Sequence, residues 1–404
     1  MKIAVFHNLP SGGAKRAVHG FARYLTRKGH VIELFVPSTA DEQYLSLSEL
    51  ALRTTVLPVR TTLAGLVQSS LGYVLPLRFS AADLERAEKE LADQMNEGDC
   101  DVVLVEQDRF TMSPFLLKFL RKPHVYFCQQ PSRLQEIIRK ELMWRPNVGQ
   151  SLHAAFRRRW HSYLERKLPD LDKRNCAFAR YVVTNSYFSR EAILRAYGLN
   201  SFVSYLGVDT DIFRPLSLPR QDYVLPVGSF EPLKGYEFLV RSFSRIPADK
   251  RPKWIIVSNT IDEGYLRYIR EVAAQVGVNL EVRNMIADED LVRLYNQAKM
   301  LVHASFLEPF GLTALEAMAC GTPVVAVKEG GIRESVIDNE TGLLLERDEG
   351  SFAQQVTDLL QDHESREKMG QRAMEAIQRF WTLDQATDRL LLHFNRAIEA
   401  WHDQ

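Results

Sequence analysis

The chain has 404 residues, more than one hydrophobic core usually organises, and this length suits two domains of about 150–200 residues each. Hydrophobic residues make up 46% and charged residues 25%, as in an ordinary globular protein, and the formal net charge of +0 argues against a dedicated nucleic-acid binder. The balance hides a basic first half and an acidic second half, which indicates that the halves meet different partners.

Short apolar runs alternate with amphipathic helical stretches along the whole chain, which predicts an α/β fold with parallel sheets. In the first half we predict strands over 2–8, 31–37, 54–59, 101–107, 124–128 and 180–186, with helices such as 14–28 and 82–96 between them. In the second half we predict strands over 223–229, 253–258, 280–284, 300–305 and 322–327, and after Ser351 only helices.

The pattern predicts two Rossmann-like, doubly wound domains in series that face each other across a cleft. We place the first domain at 1–205 and the second at 206–380, with a C-terminal helix over 381–404 that packs back toward the first domain. Doubly wound sheets bind ligands at the carboxyl ends of their strands, so the chemistry should lie just after strands.

Cellular location is indicated by what the sequence does not contain. The four cysteines form no CxxC pair, so no disulfide or metal framework is predicted and a reduced compartment is expected. The first residues run straight into a strand pattern, and no apolar run reaches 18 residues, so we expect neither a signal peptide nor a transmembrane helix. We therefore expect a cytoplasmic protein.

The segment EPFGLTALEAMACGTPVVAV (308–327) carries the strongest chemical signal. It follows a predicted strand and opens a helix whose first backbone N–H groups, at Phe310, Gly311 and Leu312, suit phosphate or sugar oxygens. Glu308 and Glu316 are carboxylates that can accept from sugar or ribose hydroxyls. Spacing alone leaves a plain helix N-terminus with a favourable acid equally open.

Glycine pairs and one lysine also follow predicted strands. Gly12 and Gly13 let backbone N–H groups approach a phosphate, although a simple tight turn explains them equally well, and Gly330–Gly331 present the same alternatives. Lys234, in PLKG, is a compact cation suited to phosphate oxygens, and by itself a solvated loop lysine would be the simpler interpretation.

Five ordered blocks make the chain resemble family 4 glycosyltransferases, which have the GT-B fold. They are the glycine-rich start NLPSGGAKRAVHGF, the middle segment NSYFSREAILRAYGLNSFVSYLGVDTDIFRP, VGSFEPLKG, the E-x7-E helix with AMACGTPVVA, and KEGGIRESVIDNETGLL. The resemblance implies a retaining transfer of a sugar from a nucleotide-diphosphate donor, GDP-mannose or a UDP-sugar. The acceptor would be a hydroxyl of a glycan or lipid-linked molecule in cell-surface polysaccharide or glycolipid synthesis.

The resemblance also implies roles for individual residues. Glu316 would hold the ribose, Glu308 the donor sugar and Lys234 the diphosphate, and Glu308, Lys234 and Gln129 would form the catalytic set. The donor site would comprise Gly12, Gly13, Ser229, Lys234, Glu308, Phe310, Gly311, Leu312, Glu316 and Gly331.

At two positions the chain departs from the family pattern. Ser229 stands where the family often has an arginine for the diphosphate, so Lys234 has less help or another base such as Arg16 substitutes. Gln129 stands where many members have a histidine; glutamine can hydrogen-bond a sugar or acceptor but cannot act as a base. In a retaining front-face mechanism the leaving phosphate can take the acceptor's proton, so activity does not require that histidine.

Metal and cofactor sites are not expected. Three Asp-x-Asp triplets occur, which shows how common the pattern is, and Asp209 and Asp211 are explained by a turn and a helix cap. The histidines have no paired ligand spacing. The basic, aromatic segment 156–167 gives a hypothesis of an anionic membrane surface as a partner at the inner membrane face; a solvated helix with a buried aromatic seam is the alternative.

Three other functions remain open. A nicotinamide dehydrogenase is disfavoured because no G-x-G-x-x-G follows the first strand. A phosphorylase or a sugar-nucleotide epimerase of the same fold is the second; a phosphorylase would need a pyridoxal-phosphate lysine, for which no signal stands out. A non-catalytic nucleotide-sugar-binding protein stays open because of Ser229 and Gln129.

Overall fold

The structure is a computed structural model that describes residues 1–60, 81–131 and 168–403. Two parallel sheets organise these residues. The strands of the first sheet are β1 (Lys2–Asn8), β2 (Val31–Pro37), β3 (Arg53–Leu57), β4 (Val102–Asp108), β5 (His124–Phe127), β6 (Val182–Thr184) and β7 (Phe202–Val203). The strands of the second sheet are β8 (Tyr223–Leu225), β9 (Lys253–Ser258), β10 (Leu280–Asn284), β11 (Met300–His303), β12 (Val324–Val327) and β13 (Gly342–Leu345).

In both sheets the strand order reverses in the middle, which confirms the predicted doubly wound fold. The first sheet has the order β3-β2-β1-β4-β5-β6-β7 and the second has β10-β9-β8-β11-β12-β13. The side of the sheet to which the chain adds strands therefore switches between β1 and β4 in one domain and between β8 and β11 in the other. Crevices open at the carboxyl ends of strands at such switch points.

Central strands are continuous apolar runs because helices cover both faces of each sheet. All seven residues of β4, VVLVEQD, are buried, including the charged ones at its carboxyl end. The helices are α1 (Gly13–Arg27), α2 (Ala81–Glu97), α3 (Tyr187–Tyr197), α4 (Tyr236–Ser244), α5 (Glu263–Val276), α6 (Asp288–Gln297), α7 (Leu312–Ala319), α8 (Ile332–Ser335), α9 (Glu349–Gln361), α10 (His363–Ala376) and α11 (Leu383–His402). Residues 168–176 are also helical.

The final helix, α11, lies on the first domain. It begins at a capping box in which the Thr382 hydroxyl accepts from the Gln385 N–H. A Cβ atom at Gly20 of α1 would lie 2.7 Å from a Leu383 methyl group, so a larger residue there would separate the two helices. Farther along, the Tyr181 hydroxyl lies 3.0 Å from His393 Nδ1. The chain thus crosses between the domains twice.

Two short strands were not predicted from the sequence. β7 has only two residues, Phe202 and Val203, and β13 reads GLLL directly after a turn. The predicted strand over 223–229 is also shorter in the structure and ends at Leu225, because the residues after it bend into the cleft loop. Among the helices that the structure describes, none combines the length and the apolar character needed to cross a membrane.

Candidate active site

The loop between β11 and α7 forms one wall of the cleft at the switch point of the second sheet. The helix α7 begins at Leu312, and its N-cap Gly311 has a φ of 91°, a left-handed conformation that favours glycine. The expectation that the helix already opens at Phe310 and Gly311 is therefore wrong, because the chain makes a loop over 308–311 first. The Phe310 side chain is buried against Tyr205 and Trp381 rather than open to the cleft.

Glu308 and Lys234, predicted to act together, meet in this loop. Lys234 Nζ donates to Glu308 Oε2 over 2.9 Å, and His303 Nε2, at the end of β11, lies 3.7 Å from the same oxygen. Burial by itself raises the pKa of Glu308, but Lys234, His303 and the Ser305 hydroxyl outweigh it and lower that pKa to about 2. Glu308 is therefore a fixed, ionised carboxylate.

His303 is neutral in this environment. Its side chain is buried, and its Nε2 atom has no hydrogen-bond partner among the described residues. Burial lowers the pKa of His303 to about 4, which Glu308 opposes and Lys234 reinforces. The ring thus adds no full positive charge to the Glu308–Lys234 pair at neutral pH.

Glycines hold the backbone of this loop at a close approach. A Cβ atom at Gly330 would lie 2.2 Å from the Glu308 carbonyl oxygen, and the Gly331 N–H donates to that oxygen over 2.7 Å. Arg347 donates to the Ala304 carbonyl over 3.0 Å and pairs with Glu329, just before the two glycines. The predicted Gly331 therefore supports the backbone of Glu308.

The strand-end turn before Lys234 contains the predicted Ser229. The Ser229 hydroxyl donates to the Glu231 carboxylate. Lys234 ends the short 3₁₀ turn Pro232–Lys234, and Gly235 follows with a φ of 69°, where a Cβ atom would lie 2.1 Å from the Ala304 carbonyl oxygen. The turn is thus held against the loop that carries Glu308.

Glu316 lies in the second turn of α7 and has a different environment. Its Oε2 accepts from the Tyr295 hydroxyl over 2.8 Å, and its Oε1 lies 3.4 Å from Nε of Arg16. Its side chain is 4% exposed. Burial raises the pKa of Glu316, although Arg16 and Tyr295 work in the opposite direction.

Arg16 reaches this carboxylate from the other domain. It lies on α1, and its guanidinium donates to Asp288 over 2.8 Å and to the Tyr44 hydroxyl over 2.9 Å, with the Phe213 ring 5.3 Å away. Although burial disfavours the charge, hydrogen bonding to Asp288 and the nearby Glu316 raise the pKa of Arg16 above its ordinary value. The guanidinium is a permanent cation.

The predicted glycine loop precedes Arg16. Cβ atoms placed on Gly12 and Gly13 would meet no atom of the described residues within 4 Å, so the loop has open space before it. Behind the loop, the buried Lys15 pairs with Glu42, whose carboxylate lies 2.9 Å from His7 Nε2. This cluster fixes the start of α1, and with it the direction of Arg16.

The opposite wall of the cleft is a neutral network at the carboxyl edge of the first sheet. Gln129 Nε2 donates to Glu106 over 3.3 Å, and Asn185 donates to Gln129 Oε1 over 2.9 Å. Burial raises the pKa of Glu106 to about 8, so it holds a proton at neutral pH. Gln129 is buried, with 7% of the residue exposed. The nitrogen and the oxygen of its side-chain amide both have protein partners.

Glu334 connects the two walls. Its carboxylate accepts from the Tyr187 and Phe188 N–H groups at the start of α3 over 2.9 and 2.8 Å, and from the Tyr205 hydroxyl over 2.8 Å. The Ser186 hydroxyl, which caps α3, also donates to the Pro309 carbonyl over 2.6 Å. The first helical turn of α3 is therefore docked on the loop of Glu308.

Sequence reasoning missed Glu106, His303, Glu334 and Arg347. A charged or histidine residue at the end of an apolar strand is a usable signal for the first two, as in DVVLVEQ and MLVHAS. The contacts of Glu334 and Arg347 join distant parts of the chain and have no local signal.

The Asp-x-Asp aspartates bind protein groups; Asp209 and Asp211 pair with Arg23 and Arg27 of α1. Within residues 1–60, 81–131 and 168–403, no group of three His, Cys, Asp or Glu side chains could hold a metal ion. The basic segment 156–167 lies outside the described residues.

Two family models match adjoining parts of the chain. Residues 11–212 match the model described as Glycosyltransferase Family 4, and residues 208–376 match Glycosyl transferases group 1. The chain belongs to glycosyltransferase family 4. Its resemblance to that family, inferred from five sequence blocks, is thereby confirmed.

Curated relatives of this glycosyltransferase match over part of their length. A D-inositol 3-phosphate glycosyltransferase of Stackebrandtia nassauensis is 31% identical over 241 residues, 54% of each chain. One from Salinispora arenicola is 34% identical over 202 residues, 47% of this chain and 45% of its own. The chain spans about half the length of the curated relatives it matches.

Solved structures establish the GT-B fold of the family 4 glycosyltransferase. Anabaena HepE in complex with UDP and glucose superposes with a TM-score of 0.70 at 19% identity, covering 98% of this chain and all of HepE. Sucrose-phosphate synthase from Thermosynechococcus elongatus superposes with a TM-score of 0.75 at 19% identity, covering 99% of each chain.

Proposed function

We propose that this glycosyltransferase transfers a sugar, with retention of configuration and without a metal ion, from a nucleotide-diphosphate donor to an acceptor hydroxyl. The observation that carries the proposal is the pair of glutamates on one segment at the switch point of the second sheet, Glu316 buried and Glu308 partly buried. The donor is a UDP-sugar or GDP-mannose. HepE, which shares the fold, was crystallised with UDP and UDP-glucose, which supports a uridine donor.

In the proposed complex, each end of the donor meets a different group. Glu316 accepts from the ribose hydroxyls, and Glu308 accepts from hydroxyls of the transferred sugar. Lys234 and the N–H groups of Gly12, Gly13, Gly311 and Leu312 face the diphosphate. Because these donors are aimed where leaving-group charge develops, they stabilise the transition state.

Proton transfer is assigned to the donor rather than to Gln129. The Gln129 side chain is committed to Glu106 and Asn185, so it positions the acceptor wall and removes no proton. The leaving phosphate is the base.

The acceptor is a glycan, a lipid-linked sugar or a phosphorylated polyol, the last suggested by the relatives named D-inositol 3-phosphate glycosyltransferase. The protein works in the cytoplasm at an anionic membrane face.

A thermal-shift screen against UDP, GDP, ADP and their sugar conjugates tests the donor. A ligand at 100 times its dissociation constant stabilises the folded state by about 2.7 kcal/mol. We expect one base to raise the Tm and the Glu316→Ala variant to lose the shift. Release of nucleoside diphosphate from the matching donor then measures turnover.

A second candidate is a non-catalytic nucleotide-sugar-binding protein of the same fold. It is favoured by Gln129, whose polar atoms both have protein partners. Nucleotide binding without any donor cleavage or transfer would support it. The absence of a shift with every nucleotide, from folded protein, would contradict both candidates.

A further inference from the structure

The arginine that follows the glycine loop lies where the proposed function puts the donor's ribose. Arg16 Nε is 3.4 Å from Oε1 of Glu316, and the other Glu316 oxygen accepts from Tyr295. Glu316 is a buried residue, 3% exposed. Ribose hydroxyls that bind Oε1 of this carboxylate therefore compete with the guanidinium for it.

The charges around the proposed donor site favour contact between the Arg16 guanidinium and a diphosphate. Glu308, Glu316 and Asp288 place three carboxylates on the second domain's side of the cleft, and Lys234 is paired with Glu308. The hydroxyl of Ser229 donates to Glu231 rather than standing free for a phosphate. A diphosphate entering this wall therefore needs a second cation.

Arg16 is suited to that task by its chemistry and its position. A guanidinium presents a planar fork of donors that matches phosphate oxygens in pairs. In this structure the fork of Arg16 pairs with both carboxylate oxygens of Asp288, and its Nε lies toward Glu316. The residue lies one turn after Gly12, whose carbonyl accepts from the Arg16 N–H over 3.0 Å. A Cβ atom on Gly12 or Gly13 would meet no atom of the described residues within 4 Å. Its side chain is 16% exposed, so it is covered but not sealed.

We propose that Arg16 exchanges its two carboxylate partners, Asp288 and Glu316, for the diphosphate of the donor when nucleotide binds. This inference rests on the proposed function and adds a diphosphate ligand from the first domain, in place of the arginine that Ser229 replaces. A nucleoside alone competes with Arg16 for Glu316 and offers the arginine no new partner. A nucleoside diphosphate displaces it and supplies the partner, so the phosphates contribute more affinity when Arg16 is present.

The test compares two ligands of one base by calorimetry, uridine with UDP, or guanosine with GDP if the screen selects guanine. The measured quantity is the ratio of the nucleoside Kd to the diphosphate Kd. We expect Arg16→Gln to weaken diphosphate binding tenfold or more while nucleoside binding stays equal or tightens, so that the ratio falls at least tenfold. Arg16→Lys, which keeps the charge without the fork, should lower the ratio less.

Arg27→Gln is the matched control. It also removes a guanidinium–carboxylate pair from α1, to Asp211, but on an exposed part of the helix, so the ratio should stay at the wild-type value. Thermal melts of each variant without ligand report folding.

A ratio for Arg16→Gln within twofold of the wild-type ratio would overturn the inference. Equal weakening of both ligands would make Arg16 a structural bridge, and equal tightening would make it only an obstruction. In either case the proposed function stands, because the wild-type protein binds the diphosphate. Failure of the wild-type protein to bind any nucleoside diphosphate would overturn both.

Discussion

Glu308 and Glu316 lie eight residues apart on one segment, are both largely buried, and have opposite electrostatic environments. Glu308 is held by groups of its own domain, chiefly Lys234, which lower its pKa to about 2. Burial raises the pKa of Glu316, and its cationic partner, Arg16, comes from the other domain. The two glutamates of one motif therefore differ in pKa and in the domain that supplies their cationic partner, which suits them to different roles.

The difference shows which part of the site is complete before the domains meet. The Glu308 carboxylate is held by Lys234 of its own domain, and Gly330 and Arg347 of the same domain support the backbone of its loop. The Glu316 end includes Arg16 and Tyr44 from the first domain. We therefore expect domain closure to change the proposed nucleoside end more than the proposed sugar end, which is a common way to couple donor binding to assembly of an active site.

Lys234→Met should have the largest effect on activity. It removes the cation beside Glu308 and the proposed diphosphate contact, and loss of one such preorganised group typically costs about 10²–10³-fold in turnover. Donor cleavage at saturating nucleotide sugar measures it. Lys299→Met is the control, since Lys299 pairs with Asp222 outside the cleft. Turnover equal to that of the control would remove Lys234 from the mechanism.

The effect of rising pH on the free energy of unfolding should have one sign for Glu308 and the opposite sign for Glu106 and Glu316. A carboxyl whose pKa is lowered in the folded state, as in Glu308, contributes stability above its unfolded pKa of about 4.5, and this is lost as pH falls toward about 2. Glu308→Gln should therefore destabilise at pH 7, and this effect should be lost progressively between about pH 4.5 and about pH 2. Glu106, with a pKa of about 8, and Glu316 favour the protonated form on folding, so stability falls as pH rises above about 4.5.

Glutamine at the last two positions should consequently become more favourable, relative to wild type, as pH rises. For Glu106→Gln the change between pH 4.5 and pH 7 should reach up to about 3 kcal/mol. Denaturant unfolding at several pH values measures it. The same slope for Glu308→Gln and Glu106→Gln would contradict the assigned environments.

Glu334→Gln should weaken the docking of α3 on the second domain. Its carboxylate accepts from two backbone N–H groups at the start of α3, so neutralising it should cost about 1–2 kcal/mol of unfolding free energy. Because the Glu316 end of the site depends on contacts from the first domain, the weaker docking should raise the Kd of the nucleotide about 3-fold. Glu340→Gln, an exposed change nearby in the chain, serves as the control.

Tyr295→Phe should have the smallest effect on the free energy of unfolding. It removes one hydrogen bond to Glu316, worth about 1 kcal/mol. Nucleotide Kd should rise about fivefold, and turnover at saturating donor should stay within twofold of wild type. A larger loss of turnover than of affinity would place Glu316 nearer the sugar than we propose.

Periodicity and motif position were sufficient for the fold and for one wall of the site. The apolar runs of β1, β2, β9 and β10 matched their predicted bounds because they are long and regular, whereas the two-residue β7 carries no periodic signal. The motif placed Glu308 at a strand end. Arg16 beside Glu316, and Glu334 beneath α3, depend on how two domains meet, and nothing local in the sequence encodes that.

Nucleotide affinity and turnover of Glu316→Gln and Glu308→Gln, measured side by side, test the account most directly. We predict that Glu316→Gln raises the Kd of the nucleoside diphosphate at least tenfold and that Glu308→Gln changes it by less than threefold. Donor cleavage at saturation should fall at least 100-fold in Glu308→Gln and much less in Glu316→Gln. Equal losses of affinity and turnover in both variants would contradict the division of the site into a nucleoside end and a sugar end.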